Sequence, residues 1–398
     1  MLSWCWSFSH SELNQIGYAG AQIAAVPHMW VTTQKENHLM TNVIKAKSGN
    51  DFLALLPTML GYTPTDSIVF VAFNGNRTIG GIRFDLEATN RPNWVTDMLK
   101  IVTRVDNLTH IVPVIYTNDD YVDGYAPHLQ VAADLTAYSD MVGPPLRDFL
   151  MVTPTRWMSF VDKDTPADGH PLAEIGESAV SELVEAPTAT YLGETKLPDV
   201  DATIRDEIAA LVDQPSTDLG NLDSIFTLFE DAITADALTA TERARLLLIF
   251  DSPTMRDVAL IQWARGRDDE SDKIARHALL NVANHTVIHD TLGATLAGMG
   301  DRPDVDRLKN ALDVALLLAA SAPTQKRAAP LVMAGWCAWA LGQSSRAAVF
   351  ADQSIAIDPD YTFPALLKTM TDSGFIPDWA FQIPQVDEAD LIHLNPDA

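Results

Sequence analysis

The sequence predicts an α/β front half, a mixed sheet with flanking helices, followed by an all-helical back half that ends in a hairpin like a tetratricopeptide repeat. Two observations carry this. Before about residue 165, short β-branched and aromatic runs alternate with helical spacings; such alternation builds a sheet with helices packed on it. After that point apolar residues recur every third or fourth position.

Asp51 to Leu60 reads as a helix, with Leu53, Leu56 and Leu60 at helical spacing and Gly61 as its stop. Pro64 follows in a turn, and Asp66 reads as a turn residue bonding its own backbone. Ser67 to Phe73 is one strand-length run. Asn74-Gly75 signals a hairpin, because both residues tolerate positive φ. Thr78 to Leu86 returns as a second strand in which Ile79, Ile82, Phe84 and Leu86 mostly alternate. Pro92 suits a first helical turn, and Trp94, Met98, Ile101 and Val105 form a single helical face. His110 to Tyr116 reads as a buried strand, and Pro113 within it implies an edge position or a bulge. Val131, Leu135, Tyr138 and Val142 repeat the helical spacing. Phe149 to Thr153 and Arg156 to Val161 read as a hairpin turned at Pro154-Thr155. Two hairpins argue against an all-parallel sheet.

In the back half, Leu222, Ile225, Phe226, Phe229 and Ile233 make one helical stripe, and Val305, Leu308, Leu312, Ala315 and Ala319 another. Thr239 with Glu242 three residues later is a capping box. Leu331, Gly335, Ala338 and Gly342 share one face, and Ala347, Ala351 and Ser354 share the next, before Pro359. Two small-residue faces let helices approach closely, as in a tetratricopeptide repeat, although no second copy lies upstream. An ordinary packing hairpin fits the same pattern. Residues 1–39 read as an extension, with Met40 expected as the biological start. Residues 40–186 form the α/β domain, 187–200 a linker, 201–380 the helical domain and 381–398 a tail.

Asp and Glu number 53 against 27 Lys and Arg, a net charge of −26. Such a chain repels phosphate backbones and anionic lipid heads, which argues against direct nucleic-acid or membrane binding and leaves room for a basic protein partner. Two cysteines, Cys5 and Cys337, make neither a disulfide framework nor a Cys₄ zinc site, and Cys337 reads as a core residue. No run reaches the ~20 apolar residues of a membrane span, and no basic residue precedes the first apolar stretch as a secretory signal requires. A cytoplasmic protein without a cofactor is expected.

Several constellations are candidates for chemistry. Asn118, Asp119 and Asp120 follow the carboxyl end of a strand, where α/β sheets bind ligands. They read either as a Mg²⁺ or Ca²⁺ ligand set or as a polar loop capping the next helix. Arg156, Asp162, Asp164 and His170 cluster on and after the second hairpin; an arginine there clamps an anion or makes a surface ion pair. His277, His285 and His289 stand at multiples of four. His285 and His289 suit Zn²⁺ or Ni²⁺ as an i, i+4 pair, but Thr286 replaces the glutamate of a metalloprotease motif, and exposed histidines explain them as well. Ser67 lacks the Gly-x-Ser-x-Gly elbow, and Gly80-Gly81 lacks the rest of a phosphate loop.

Three stretches resemble one family. Asp51 to Val71 resembles the opening of the actinobacterial domain-of-unknown-function family 4192 (DUF4192), Arg156-Trp157-Met158-Ser159-Phe160 its Arg-Trp-Trp-Ser-Tyr segment, and Ala334 to Tyr361 its closing helical hairpin. The resemblance singles out Arg156 and Trp157 and implies a fold, but no chemistry. Family members often carry adjacent cysteines after the Arg-Trp segment; Asp164 to Pro171 here has none. The expected function is non-catalytic binding or regulation through a protein partner. The alternative is an enzyme or small-ligand binder with a pocket at the sheet's carboxyl edge, near Asn118 and Arg156.

Overall fold

The computed structural model describes residues 22–24, 45–184, 187, 195–214, 219–267 and 290–382. Helix α1 (Gly49–Leu60) buries Leu53, Leu56 and Leu60 and stops where Gly61 turns to a φ of 76°. Strands β2 (Ser67–Asn74) and β3 (Arg77–Asp85) form the expected hairpin, turned at Gly75-Asn76, one residue later than the dipeptide suggests. Their pairing slips from Ala72↔Gly80 to Phe73↔Thr78, leaving Ile79 as the extra residue of a bulge. The bulge restores Ile79 to the face of Ile82 and Phe84, so imperfect alternation in sequence becomes one continuous face.

Helix α2 (Trp94–Val102) buries Trp94, Met98 and Ile101. Pro92 lies in the preceding turn rather than in the helix, because Asn93 takes a left-handed φ of 61°. Strand β4 (His110–Tyr116) is central, between β2 and β5 (Leu150–Val152), so Pro113 marks neither an edge nor a bulge. The chain beside β4 touches it at Leu146, opposite Ile111, and again from Leu150, opposite Val114. Ile111 and Thr117 direct their N–H groups to that side. By strand alternation Pro113 faces the same side, in the gap, and its missing N–H breaks no ladder bond. Helix α3 (Leu129–Met141) buries Leu135, but Val142 lies beyond its end and is exposed.

Strand β6 (Arg156–Ser159) returns from β5, β7 (His170–Pro171) pairs with β6, and the short α4 (Ala173–Gly176) follows. With β1 (Gln22–Ala24), the sheet order is β1-β3-β2-β4-β5-β6-β7. Only β4 and β5 run parallel. One face packs on α1 through Val69, Val71, Val112 and Val114; the other packs on α2 and α3 through Ile68, Phe70, Ile82 and Ile115.

The back half is helical: α5 (Ala202–Asp213), α6 (Leu222–Thr234), α7 (Ala240–Ile249), α8 (Pro253–Arg265), α9 (Asp290–Leu296), α10 (Val305–Ser321), α11 (Ala328–Ala340), α12 (Ser344–Ile357) and α13 (Thr362–Asp372). They share one core. The capping box at α7 is present, with reciprocal bonds between Thr239 and Glu242. Helices α11 and α12 meet through small residues, and Ser354 donates to the Ala328 carbonyl. A Cβ on Gly335 would stand 2.8 Å from Leu367. Gly342 leaves the shared face for the turn, where its φ is 82°. Cys337 is wholly buried, and burial pushes its thiol up, so it is a packing residue. The segment after α13 joins the two halves: Trp379 enters the helical core, while Ile376 and Phe381 enter the core of the sheet. No helix among the described residues is long and apolar enough to cross a membrane.

Candidate binding edge of the sheet

Because β2 runs against β4 while β5 runs with it, the start of β2 and the ends of β4 and β5 meet at one edge: Ser67 faces Tyr116, and Tyr116 faces Val152. Asp66, at a φ of 41°, does not bond its own turn. Its carboxylate accepts from the backbone and side-chain nitrogens of Asn118, which ties two loops together. Thr117 Oγ1 lies 2.9 Å from His128 Nε2, and the Asp119 carboxylate lies 3.4 Å from that nitrogen. Asp120 accepts from Thr155 Oγ1, from the Tyr121 N–H at 2.9 Å and from Thr153 Oγ1 at 3.0 Å. The Thr155 bond, then the Tyr121 N–H, hold its carboxyl below the usual range. Asn118, Asp119 and Asp120 thus turn to three different partners and stiffen the edge.

Arg156 and Trp157 are neighbours in β6, so their side chains leave on opposite faces. Arg156 donates to the Gly169 carbonyl and pairs with Asp168 at 3.2 Å. Trp157 is buried on the α1 side, where His170 stacks on it at 4.4 Å and pairs in turn with Glu174 at 3.3 Å. A Cβ on Gly49 would come within 2.9 Å of the Trp157 ring. Asp162 accepts from the Asp164 N–H, an internal loop bond. Asp162 and Asp164 are both exposed. The residues singled out from the sequence therefore do not converge: Asn118, Asp119 and Asp120 lie at the carboxyl edge, Arg156 and Trp157 leave β6 on opposite faces, and Asp162 and Asp164 follow Ser159 at the far end of β6.

Sequence reasoning missed what this edge presents. Val122-Asp123-Gly124-Tyr125 is a two-residue hairpin: Val122 and Tyr125 exchange backbone bonds of 3.1 and 2.9 Å, and Asp123 and Gly124 have φ of 53° and 80°. Both central residues at positive φ define a tight primed turn, for which Asp-Gly is a strong sequence signal. Val122 and Tyr125 are 69% and 71% exposed, and Leu129 beside them is 47% exposed. Tyr121 anchors the base, donating to Met158 Sδ at 3.1 Å, and its hydroxyl abuts Gly169. The end of the 160–169 loop therefore lies alongside. Exposed Asp119, Asp123 and Asp168 lie around the tip: Asp123 is in the turn itself, Asp119 is beside His128, and Asp168 precedes the Gly169 that abuts Tyr121.

No three His, Cys, Asp or Glu among the described residues are grouped to hold a metal ion. His277, His285 and His289 lie outside the described residues. The protein is of an α/β-plus-helical class, a seven-stranded mixed sheet joined to a helical bundle, with a braced loop edge. The family model of the Domain of unknown function (DUF4192) matches residues 50–378, and the chain belongs to that family. Comparison with curated proteins and with solved structures finds no match.

Proposed function

We propose that this is a non-catalytic cytoplasmic binding protein that recognises a basic segment of a partner protein at the carboxyl edge of its sheet. The observation that carries the reading is the rigid, exposed Val122–Tyr125 tip inside a rim of aspartates. A pre-organised aromatic anchor loses little freedom on binding and is the commonest kind of interface hot spot. Surrounding negative charge steers a cationic partner and rejects anionic ones. The ionisable groups beneath are occupied in bracing: Asp66 on Asn118, Asp120 on two threonines, Arg156 on Asp168. The Thr117–His128 contact is not an oriented triad, because Asp119 approaches the same Nε2 as the hydroxyl rather than the opposite ring nitrogen. The test is a displayed-peptide selection on the full chain, with counter-selection on a Val122→Asp, Tyr125→Asp variant. Enrichment of lysine- or arginine-rich peptides with apolar residues, lost on the variant, is expected. Peptides that are acidic, or that bind both proteins equally, would reject the reading.

A further inference from the structure

A second feature lies beneath α1, on the face of the sheet opposite α2 and α3. Ser67 is paired across the sheet with Tyr116 on one side and Asp85 on the other, and Arg83 is paired with Val69, so all four side chains fall on the α1 face. Tyr62, in the turn after α1, is close enough for its phenol to feel the Arg83 charge, and Tyr116 is close enough to feel Tyr62. The Tyr62, Ser67 and Tyr116 hydroxyls are all sealed from solvent, and none has a hydrogen-bond partner. Native proteins leave few buried polar atoms unpaired. Three in one corner of an otherwise apolar layer of leucine and valine need a common cause.

The chemistry of the corner selects the ligand. Burial pushes both phenols up, so they remain protonated donors. Arg83 is 1% exposed, carries a permanent positive charge and pairs with Asp85 at 2.7 Å. An apolar ligand would leave the hydroxyls unpaired, and a cation would meet Arg83. A compact group rich in acceptors, carrying negative charge, uses all three donors. Asp85, 43% exposed, connects the corner to solvent and offsets part of the Arg83 charge, which keeps affinity modest. We propose that Tyr62, Ser67 and Tyr116, beside Arg83, bind a compact oxyanion, a carboxylate or a phosphate group, that enters past Asp85. This site is independent of the Val122–Tyr125 tip.

The test is thermal denaturation of the full chain titrated with sodium phosphate and, separately, sodium acetate, each against sodium chloride of equal ionic strength. Wild type is compared with Tyr116→Phe and Ser67→Ala, substitutions that remove one oxygen each and little volume. A saturable rise in Tm beyond chloride is expected for wild type, with the half-saturating concentration raised about ten-fold in either variant. The oxyanion that responds names the source. The Val122→Asp, Tyr125→Asp variant should respond as wild type does, so the failure of one proposal does not carry the other. No saturable response, as from a corner that holds only water, overturns the proposal. An equal response in wild type and Ser67→Ala does so too, and that comparison stands even if Tyr116→Phe does not fold.

Discussion

Gly49 shows how one missing side chain shapes the edge. It begins α1, and a Cβ there would meet the Trp157 ring at 2.9 Å. His170 also stacks on the face of Trp157, so the ring has little room to turn. Gly49→Ala is expected to destabilise the protein by about 1–3 kcal/mol through overpacking, despite the better helix propensity of alanine. Urea denaturation checks this; an unchanged or raised midpoint would show that Trp157 moves freely. Glu230 is the counterpart in the helical half. Arg307 grips its carboxylate at 2.5 and 2.8 Å, and that bond, followed by the Gln262 bond, holds the group below its ordinary range. A carboxyl lowered on folding stabilises the protein above its unfolded pKa, ~4.3 for glutamate, and loses that contribution as pH falls through the folded value. Glu230→Gln should therefore cost about 2 kcal/mol near neutral pH, and the gap in Tm from wild type should narrow as pH falls below the unfolded pKa. A gap independent of pH would deny the ion pair its role.

At the scale of elements, the sequence was legible wherever local chemistry decides the outcome. The Thr239–Glu242 box caps α7, and Thr239→Ala should cost about 1 kcal/mol in denaturant-monitored stability, an effect absent if the helix start frays in wild type. The Asp123-Gly124 dipeptide carried a hairpin signal of the same kind as Asn74-Gly75, but without long strands on either side it did not stand out. Pro113 misleads for a different reason. A proline forbids a central strand only if its partner is present at that residue, and the gap between Leu146 and Leu150 is a tertiary fact. Asp66 reads as a turn residue bonding its own backbone and lies in the bend before β2, but its carboxylate is bonded to Asn118, 52 residues away, a distance that no local pattern spans.

For the molecule as a whole, the periodicity change near residue 165 divides sheet from helices, and the last strand ends at Pro171. What the sequence could not reveal is how the halves are fastened. Residues 376–380 read as the end of the helical domain and Phe381 as the start of the tail, yet Ile376 and Phe381 fill the sheet's core while Trp379 fills the helical one. Arg104 lies over the Phe381 ring at 3.9 Å and pairs with Asp378 at 2.9 Å. Phe381→Ala should cost about 3–5 kcal/mol, as for other buried aromatics, and split one unfolding transition into two as the halves uncouple. A single transition, shifted but undivided, would mean that other contacts couple them. Burial was equally illegible: Ser67 and Tyr116 look ordinary in sequence, and only pairing across β2 and β4 brings their hydroxyls into one sealed corner.

The most direct measurement for the binding edge is the affinity of the best basic peptide from the selection, determined by calorimetry for wild type and Tyr125→Ala in about 50 and 500 mM salt. Tyr125→Ala should weaken binding at least about ten-fold, as loss of a hot-spot anchor does, and high salt should weaken wild-type binding as the aspartate rim is screened. An affinity indifferent to both Tyr125 and salt would place recognition elsewhere and contradict the account.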